Sequence, residues 1–295
     1  MTGLRERLTH GPPLVSDGAM GTMLMDAGLE QGACPDVLSV TDPAALAKIS
    51  GTYAKAGADL VHTNTFGASP LRLAEYDLDH LTEEINRTGV RLARRGSGDG
   101  VFVSGSMGPC GRILEPYGDV SEDEVYEGFL LQATALVAAG VDAVTVETMI
   151  DLREAALAVR AVRSAGPDLP VLATMTFQAT PRGFFTVMGT SVEQAAHGLL
   201  AAGADAVGSN CGNGIELMVE IARAFRAATD RPLIIQANAG IPEVRQGLVH
   251  YPETPEDFAA ALPALIAAGV SVIGGCCGSD PAHIRAIRDA INDNP

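Results

Sequence analysis

Ala56-Gly57-Ala58-Asp59, Ala139-Gly140-Val141-Asp142, Ala202-Gly203-Ala204-Asp205 and Ala268-Gly269-Val270-Ser271 are four versions of one short motif, spread along a chain of 295 residues. Each glycine sits where a helix should end, in the left-handed cap position that suits Gly. Each is followed by a short apolar, β-branched run. Such runs recur between the motifs as well, giving eight candidate strands: Leu14–Ser16, Leu60–Thr63, Val101–Ser104, Ala143–Val146, Val171–Met175, Ala206–Gly208, Leu233–Gln236 and Ser271–Ile273. Runs that are apolar on both faces are what a buried parallel sheet requires. The segments between them carry helix starts. Thr41-Asp42-Pro43 offers a cap and a first-turn proline, Ser121-x-x-Glu124 reads as a capping box, and Thr254-Pro255 and Asp280-Pro281 open two more. No Ser/Pro/Gly-rich linker divides the chain. Eight β-α units in this length predict an α/β fold, a single (β/α)8 TIM barrel formed by residues 1–295, with its active site at the C-terminal rim of the strands.

The same motif locates that rim. Seven residues beyond Gly57, Gly140, Gly203 and Gly269 stand Asn64, Glu147, Asn210 and Cys276. These belong to the second, fourth, sixth and eighth strands, and in a TIM barrel alternate strands fill one layer. Four polar or metal-binding residues at one height make a site rather than a core.

Cys211 ends the sixth strand in Gly208-Ser-Asn-Cys-Gly212, and Cys276 and Cys277 end the eighth in Gly274-Gly-Cys-Cys-Gly278. Barrel closure brings these strands to either side of the seventh. Three converging thiols suit a tetrahedral Zn2+ with an open fourth position. The alternatives are small buried core cysteines or a vicinal redox pair. Three thiolates make zinc a poor activator of water, but a fourth, incoming thiol would be held deprotonated and nucleophilic. That favours alkyl transfer to sulfur. Asn238, at the end of the seventh strand, could fill the fourth position until substrate displaces it, or could be a turn asparagine. Cys34 lies in an early loop, and Cys110 as a fourth sulfur would close the metal to substrate, so neither is expected to be a ligand.

Asp17-Gly18-Ala19-Met20 closes the first strand. Its backbone N–H groups could face a carboxylate, and Asp17 or Glu147 could hold an amine. The alternatives are a turn cap for Asp17 and a rim salt bridge for Glu147. Thr63-Asn64-Thr65-Phe66-Gly67 and Gly105-Ser106-Met107-Gly108-Pro109 read as loops lining the same mouth.

Composition bounds the partners. The hydrophobic share of 47% allows a large core, and a net charge of −16 argues against a nucleic-acid or anionic-lipid partner. Met1 to Pro13 has no apolar run of the signal-peptide kind, and no stretch approaches the ~20 apolar residues of a membrane span. Five cysteines, an odd number, point to metal or catalytic use in a reducing cytoplasm. Of the rivals, a Schiff-base lyase needs a rim lysine, yet the only lysines, Lys48 and Lys55, fall on the first predicted helix. A metal-dependent lyase would prefer His and carboxylate ligands. A zinc-holding subunit without activity of its own is a further alternative.

Taken in order, Asp17-Gly-Ala-Met-Gly-Thr22, Thr63-Asn-Thr-Phe-Gly-Ala68, Gly105-Ser-Met-Gly-Pro109, Val146-Glu-Thr-Met149, Ser209-Asn-Cys-Gly212, Asn238-Ala-Gly240 and Gly274-Gly-Cys-Cys-Gly278 resemble the homocysteine S-methyltransferase family over nearly the whole chain. The likeness is nearest to the homocysteine-binding domain of cobalamin-dependent methionine synthase. It implies a zinc barrel that methylates homocysteine to methionine, with Cys211, Cys276 and Cys277 as ligands. It implies that Asp17 and Glu147 contact the amino acid and that the first-strand turn takes its carboxylate. The chain lacks the further modules of methionine synthase, so the expected donor is methylcobalamin or a separate methylcorrinoid protein. S-methylmethionine is the second option. Betaine fits poorly, because the chain has no Trp for an aromatic cage.

Overall fold

A computed structural model describes residues 3–30, 32–245 and 248–293. Eight parallel strands alternate with helices: β1 (Leu14–Val15), β2 (Leu60–His62), β3 (Phe102–Met107), β4 (Ala143–Met149), β5 (Val171–Met175), β6 (Ala206–Asn210), β7 (Leu233–Ala237) and β8 (Val270–Gly275). The hydrogen-bonded order is β1-β8-β7-β6-β5-β4-β3-β2. A parallel bridge from Ser16 to Leu60 returns β1 to β2, so the sheet closes into a (β/α)8 barrel. The outer helices are α1 (Pro43–Ala56), α2 (Thr82–Ser97), α3 (Glu122–Ala138), α4 (Leu152–Ala165), α5 (Val192–Ala202), α6 (Ile215–Ala228), α7 (Pro255–Ala267) and α8 (Pro281–Asp293).

The barrel interior changes character with height. Its lower end is apolar: Leu14, Leu60, Ala143, Leu172, Ala206, Ile234 and Val272 form one cluster. A short helix, Leu4–Arg7, plugs this end by adding Leu4 and Leu8 to the same cluster. Two residues further along each strand the side chains turn inward again, and there Ser16, His62, Ser104, Thr145, Thr174 and Gln236 are buried polar groups. Buried polar atoms need partners, and several find them in one another. Thr145 bonds both His62 and Ser104, and Gln236 donates to Ser16. This explains why β3, β4, β6 and β8 run past the expected ends of their apolar stretches. The strands continue upward after the residues pointing into the barrel have become polar.

The four glycines of the repeated motif all adopt positive φ, from 74° to 112°. Each turn is clamped by an arginine from the neighbouring helix. Arg288 bonds the Gly57 carbonyl and Asp59, Arg94 bonds that of Gly140 and Asp142, and Arg163 bonds that of Gly203 and Asp205. In each case the aspartate also accepts the N–H of an adjacent strand's early residue: Val15, Val103 or Val171. The fourth motif has Ser271 in place of the aspartate, and Arg226 bonds carbonyls instead, those of Ala268, Gly269, Thr229 and Arg231. The repeat is therefore a joint tying helix end, turn and strand start together below the site. The Ser121–Glu124 capping box forms as expected, and Ser191–Gln194 and Thr254–Asp257 form two more.

Candidate metal centre and substrate pocket

A cavity of about 290 Å3 opens at the C-terminal rim, lined by Asp17 to Thr22, His62 to Asn64, Ser106, Glu147, Cys211, Tyr251, Cys276 and Cys277 among others. Cys211 follows β6 with φ of 61°, a left-handed conformation rare outside glycine and characteristic of constrained functional sites. Its N–H is held by the Gln236 carbonyl. Cys276 follows β8, and its N–H bonds the Ala237 carbonyl at 2.6 Å, while the Cys277 carbonyl accepts from Ala239. β8 can bring its end this close to the β1 turn because it has no side chains there. A Cβ on Gly274 would lie 1.9 Å from Ser16 Oγ, and one on Gly275 would lie 2.1 Å from Ser279 Oγ.

The Cys211 and Cys277 sulfurs stand 3.8 Å apart, and all three ligand atoms lie within 4.8 Å of one another. Two sulfurs bound to tetrahedral zinc at ~2.3 Å are ~3.8 Å apart, so the spacing fits the metal. The donor chemistry fits as well. Hydrogen bonds from Cys276 and Cys277 favour the Cys211 thiolate and hold its proton affinity far below the usual range, while both partners are pushed up. Three adjoining sulfurs that favour a thiolate among them are the donor set a divalent cation completes. Asn238 adds a further sign. Its amide touches Cys211, and its Oδ1 is buried without a hydrogen-bond partner. An amide rotation would offer that oxygen to a metal. Cys34 and Cys110 lie elsewhere, against Asp36 and Glu154.

In the same cavity Glu147 accepts from Ser106 Oγ at 2.5 Å and from Asn210 Nδ2 at 3.2 Å. Burial raises its carboxyl pKa, opposed by the charge of His62 and the Ser106 bond. Asn210 is fully used. Its Oδ1 accepts from Thr148 N and Thr174 Oγ1, and its Nδ2 reaches Thr148 Oγ1, Glu147 and, at 3.8 Å, Cys276 Sγ. It thus joins the carboxylate to the sulfur cluster. Asp17 spends both oxygens on His62, one on its ring Nδ1 at 2.7 Å and one on its backbone N–H at 2.8 Å. Gly18, Ala19 and Met20 line the cavity beside it. Asn64 also lines the cavity, but its amide turns away to the Pro35 carbonyl.

Several lining residues escaped sequence reasoning, Asp36, His62 and Tyr251 among them. His62 lies two positions before Asn64, so the strand alternation that located Asn64 already placed it inside the barrel. Tyr251 had no such signal. It arrives from the long β7–α7 segment, and its ring packs where Gly278 lacks a Cβ. Burial, followed by the nearby Cys277, pushes its hydroxyl pKa up to about 12.

A family profile described as homocysteine S-methyltransferase matches residues 14–291. This chain belongs to the homocysteine S-methyltransferase family. Methionine synthases from Mycobacterium tuberculosis and Mycobacterium leprae are each 35% identical to it over 297 aligned positions, 94% of this chain. The chain spans about a quarter of the length of these relatives, 24%. Among solved structures, the metallated form of the homocysteine methyltransferase MmuM from Escherichia coli superposes with a TM-score of 0.80 at 25% identity, covering 97% of this chain and 99% of that one. The apo form of MmuM superposes less well, at 0.72. The resemblance read from the motifs is thus confirmed as family membership, and the barrel is the family's fold. No helix among the described residues is long and apolar enough to cross a membrane.

Proposed function

We propose that residues 1–295 act as one homocysteine-binding barrel that methylates the thiol of homocysteine to give methionine. The observation that carries this reading is the three-sulfur cluster with zinc-like spacing in a cavity that Glu147 and Asp17 also line. Cys211, Cys276 and Cys277 would hold zinc, which when bound supplies a Lewis acid that keeps an incoming thiol deprotonated. Glu147 is the principal partner for the substrate ammonium, with Asp17 behind it. Backbone N–H groups of Gly18 and Met20 would face the carboxylate, while the Ala19 N–H is bonded to the Ser279 carbonyl. Asn210 fixes Glu147 relative to Cys276, and Asn64 holds the cavity wall. With its amide rotated, Asn238 would offer Oδ1 as a displaceable fourth ligand. The five unpaired cysteines suit a reducing cytoplasm.

For the methyl donor we favour a methylcorrinoid, methylcobalamin carried by a separate protein or domain. Two observations support this. The related methionine synthases extend far beyond the matched region. Exposed apolar side chains also crowd the loops at the mouth, including Met25, Phe66, Ile113, Tyr117, Val244 and Val249. A second reading, a small donor such as S-methylmethionine, draws on the match to 99% of the MmuM chain.

Two measurements test the proposal. X-ray absorption of the zinc-loaded protein should show a fourth sulfur on adding homocysteine, and an unchanged ligand set would leave only a non-catalytic zinc-holding subunit. Methionine formation should follow with methylcobalamin. Turnover with S-methylmethionine alone would select the second reading, and turnover with betaine alone would overturn both.

A further inference from the structure

The pocket contains a buried histidine that neither binds the metal cluster nor is needed to close the barrel. His62 is 9% exposed at its side chain and sits between the Asp17 carboxylate and Thr145. We propose that the His62 ring, bracketed by Asp17 and Glu147, sets the charge at the amino-acid end of the cavity and so selects a thiol bearing both an ammonium and a carboxylate. This rests on the function proposed above.

Nδ1–H donates to Asp17 at 2.7 Å, and Nε2 lies 3.0 Å from Thr145 Oγ1, whose hydroxyl also meets Ser104 Oγ at 2.7 Å and is free to turn so that it accepts an Nε2–H. A buried ring held 2.7 Å from a carboxylate is the arrangement that stabilises the imidazolium. The charged groups facing the ring are Asp17 from the end of β1 and Glu147 from β4, while Thr145 and Ser104 are neutral. Burial opposes the charge, but Asp17 and Glu147 outweigh it and raise the ring's pKa to about 9. Two carboxylates and one imidazolium leave a net charge of −1 at this end. An ammonium neutralises it, so the substrate carboxylate meets no excess negative charge. With a neutral ring the net charge would be −2, which favours a bare amine and repels a carboxylate.

The test compares homocysteine with its decarboxylated analogue, 3-aminopropane-1-thiol, by calorimetric binding to zinc-loaded protein. The wild type should prefer homocysteine, and His62→Gln should shrink that preference by about tenfold or more. An unchanged preference in a folded variant overturns the inference. If His62→Gln does not fold, nitrogen NMR of the wild-type imidazole decides. Two protonated nitrogens at pH 7.5 uphold the inference and a neutral ring overturns it. A wild-type protein that binds neither thiol refutes the proposed function instead, and the NMR result is independent of that outcome.

Discussion

Replacing Asp36 with Asn should make the protein more stable at pH 8 and leave it unchanged at pH 4. Asp36 is 4% exposed and lines the cavity. Its Oδ1 accepts the Gly67 N–H at 2.9 Å, and the Cys34 thiol donates to Oδ2 at 3.8 Å. Burial raises its carboxyl pKa from 3.8 to about 6, although the Gly67 bond and Arg72 pull the other way. The folded protein therefore holds this proton more tightly than the unfolded chain between pH 3.8 and about 6. Stability from this group is fully present below that window and is lost as pH rises through about 6. The gap between the two values corresponds to roughly 3 kcal/mol at neutral pH and above. Asparagine keeps an oxygen for Gly67 and gains an N–H for Cys34, without an ion to bury. Urea denaturation of wild type and Asp36→Asn at both pH values measures the difference. In a chain of this size the pH 8 gain should raise Tm by roughly 5 °C. No gain at pH 8, or an equal gain at pH 4, would show that the Asp36 carboxylate is not destabilised by burial. A stabilising change at a residue lining the cavity would also imply that the carboxylate is kept for the site rather than for the fold.

Cys276→Ser removes one of three clustered sulfurs, so zinc affinity measured by competition with a chelator should fall by about a hundredfold or more, and methionine formation should be lost with it. Retained zinc would refute the ligand assignment. Asp205→Ala strips the clamp that Arg163, Arg5 and the Val171 N–H share, on a carboxylate only 10% exposed. It should cost about 3 kcal/mol in chemical denaturation, and a loss under about 1 kcal/mol would mean the joint is ornamental.

The sequence by itself determined the barrel, its rim and the three cysteines. Helix-ending glycines and apolar strands are local features, so eight apolar runs counted out the β-α units, and the repeated Ala-Gly motif marked every second strand, without any tertiary knowledge. Fixed spacing from that motif then brought Glu147, Asn210 and Cys276 to one level, because strand geometry is regular. Tertiary structure alone decided what each polar group faces. Asp17 reads as an amine holder, yet both its oxygens go to His62, and Asn64 turns to Pro35. Tyr251 reaches the sulfurs from a distant loop. These outcomes depend on which buried donor meets which acceptor across the barrel. No periodicity encodes such pairings, because they are set only once the strands have closed and every buried polar atom must find a partner.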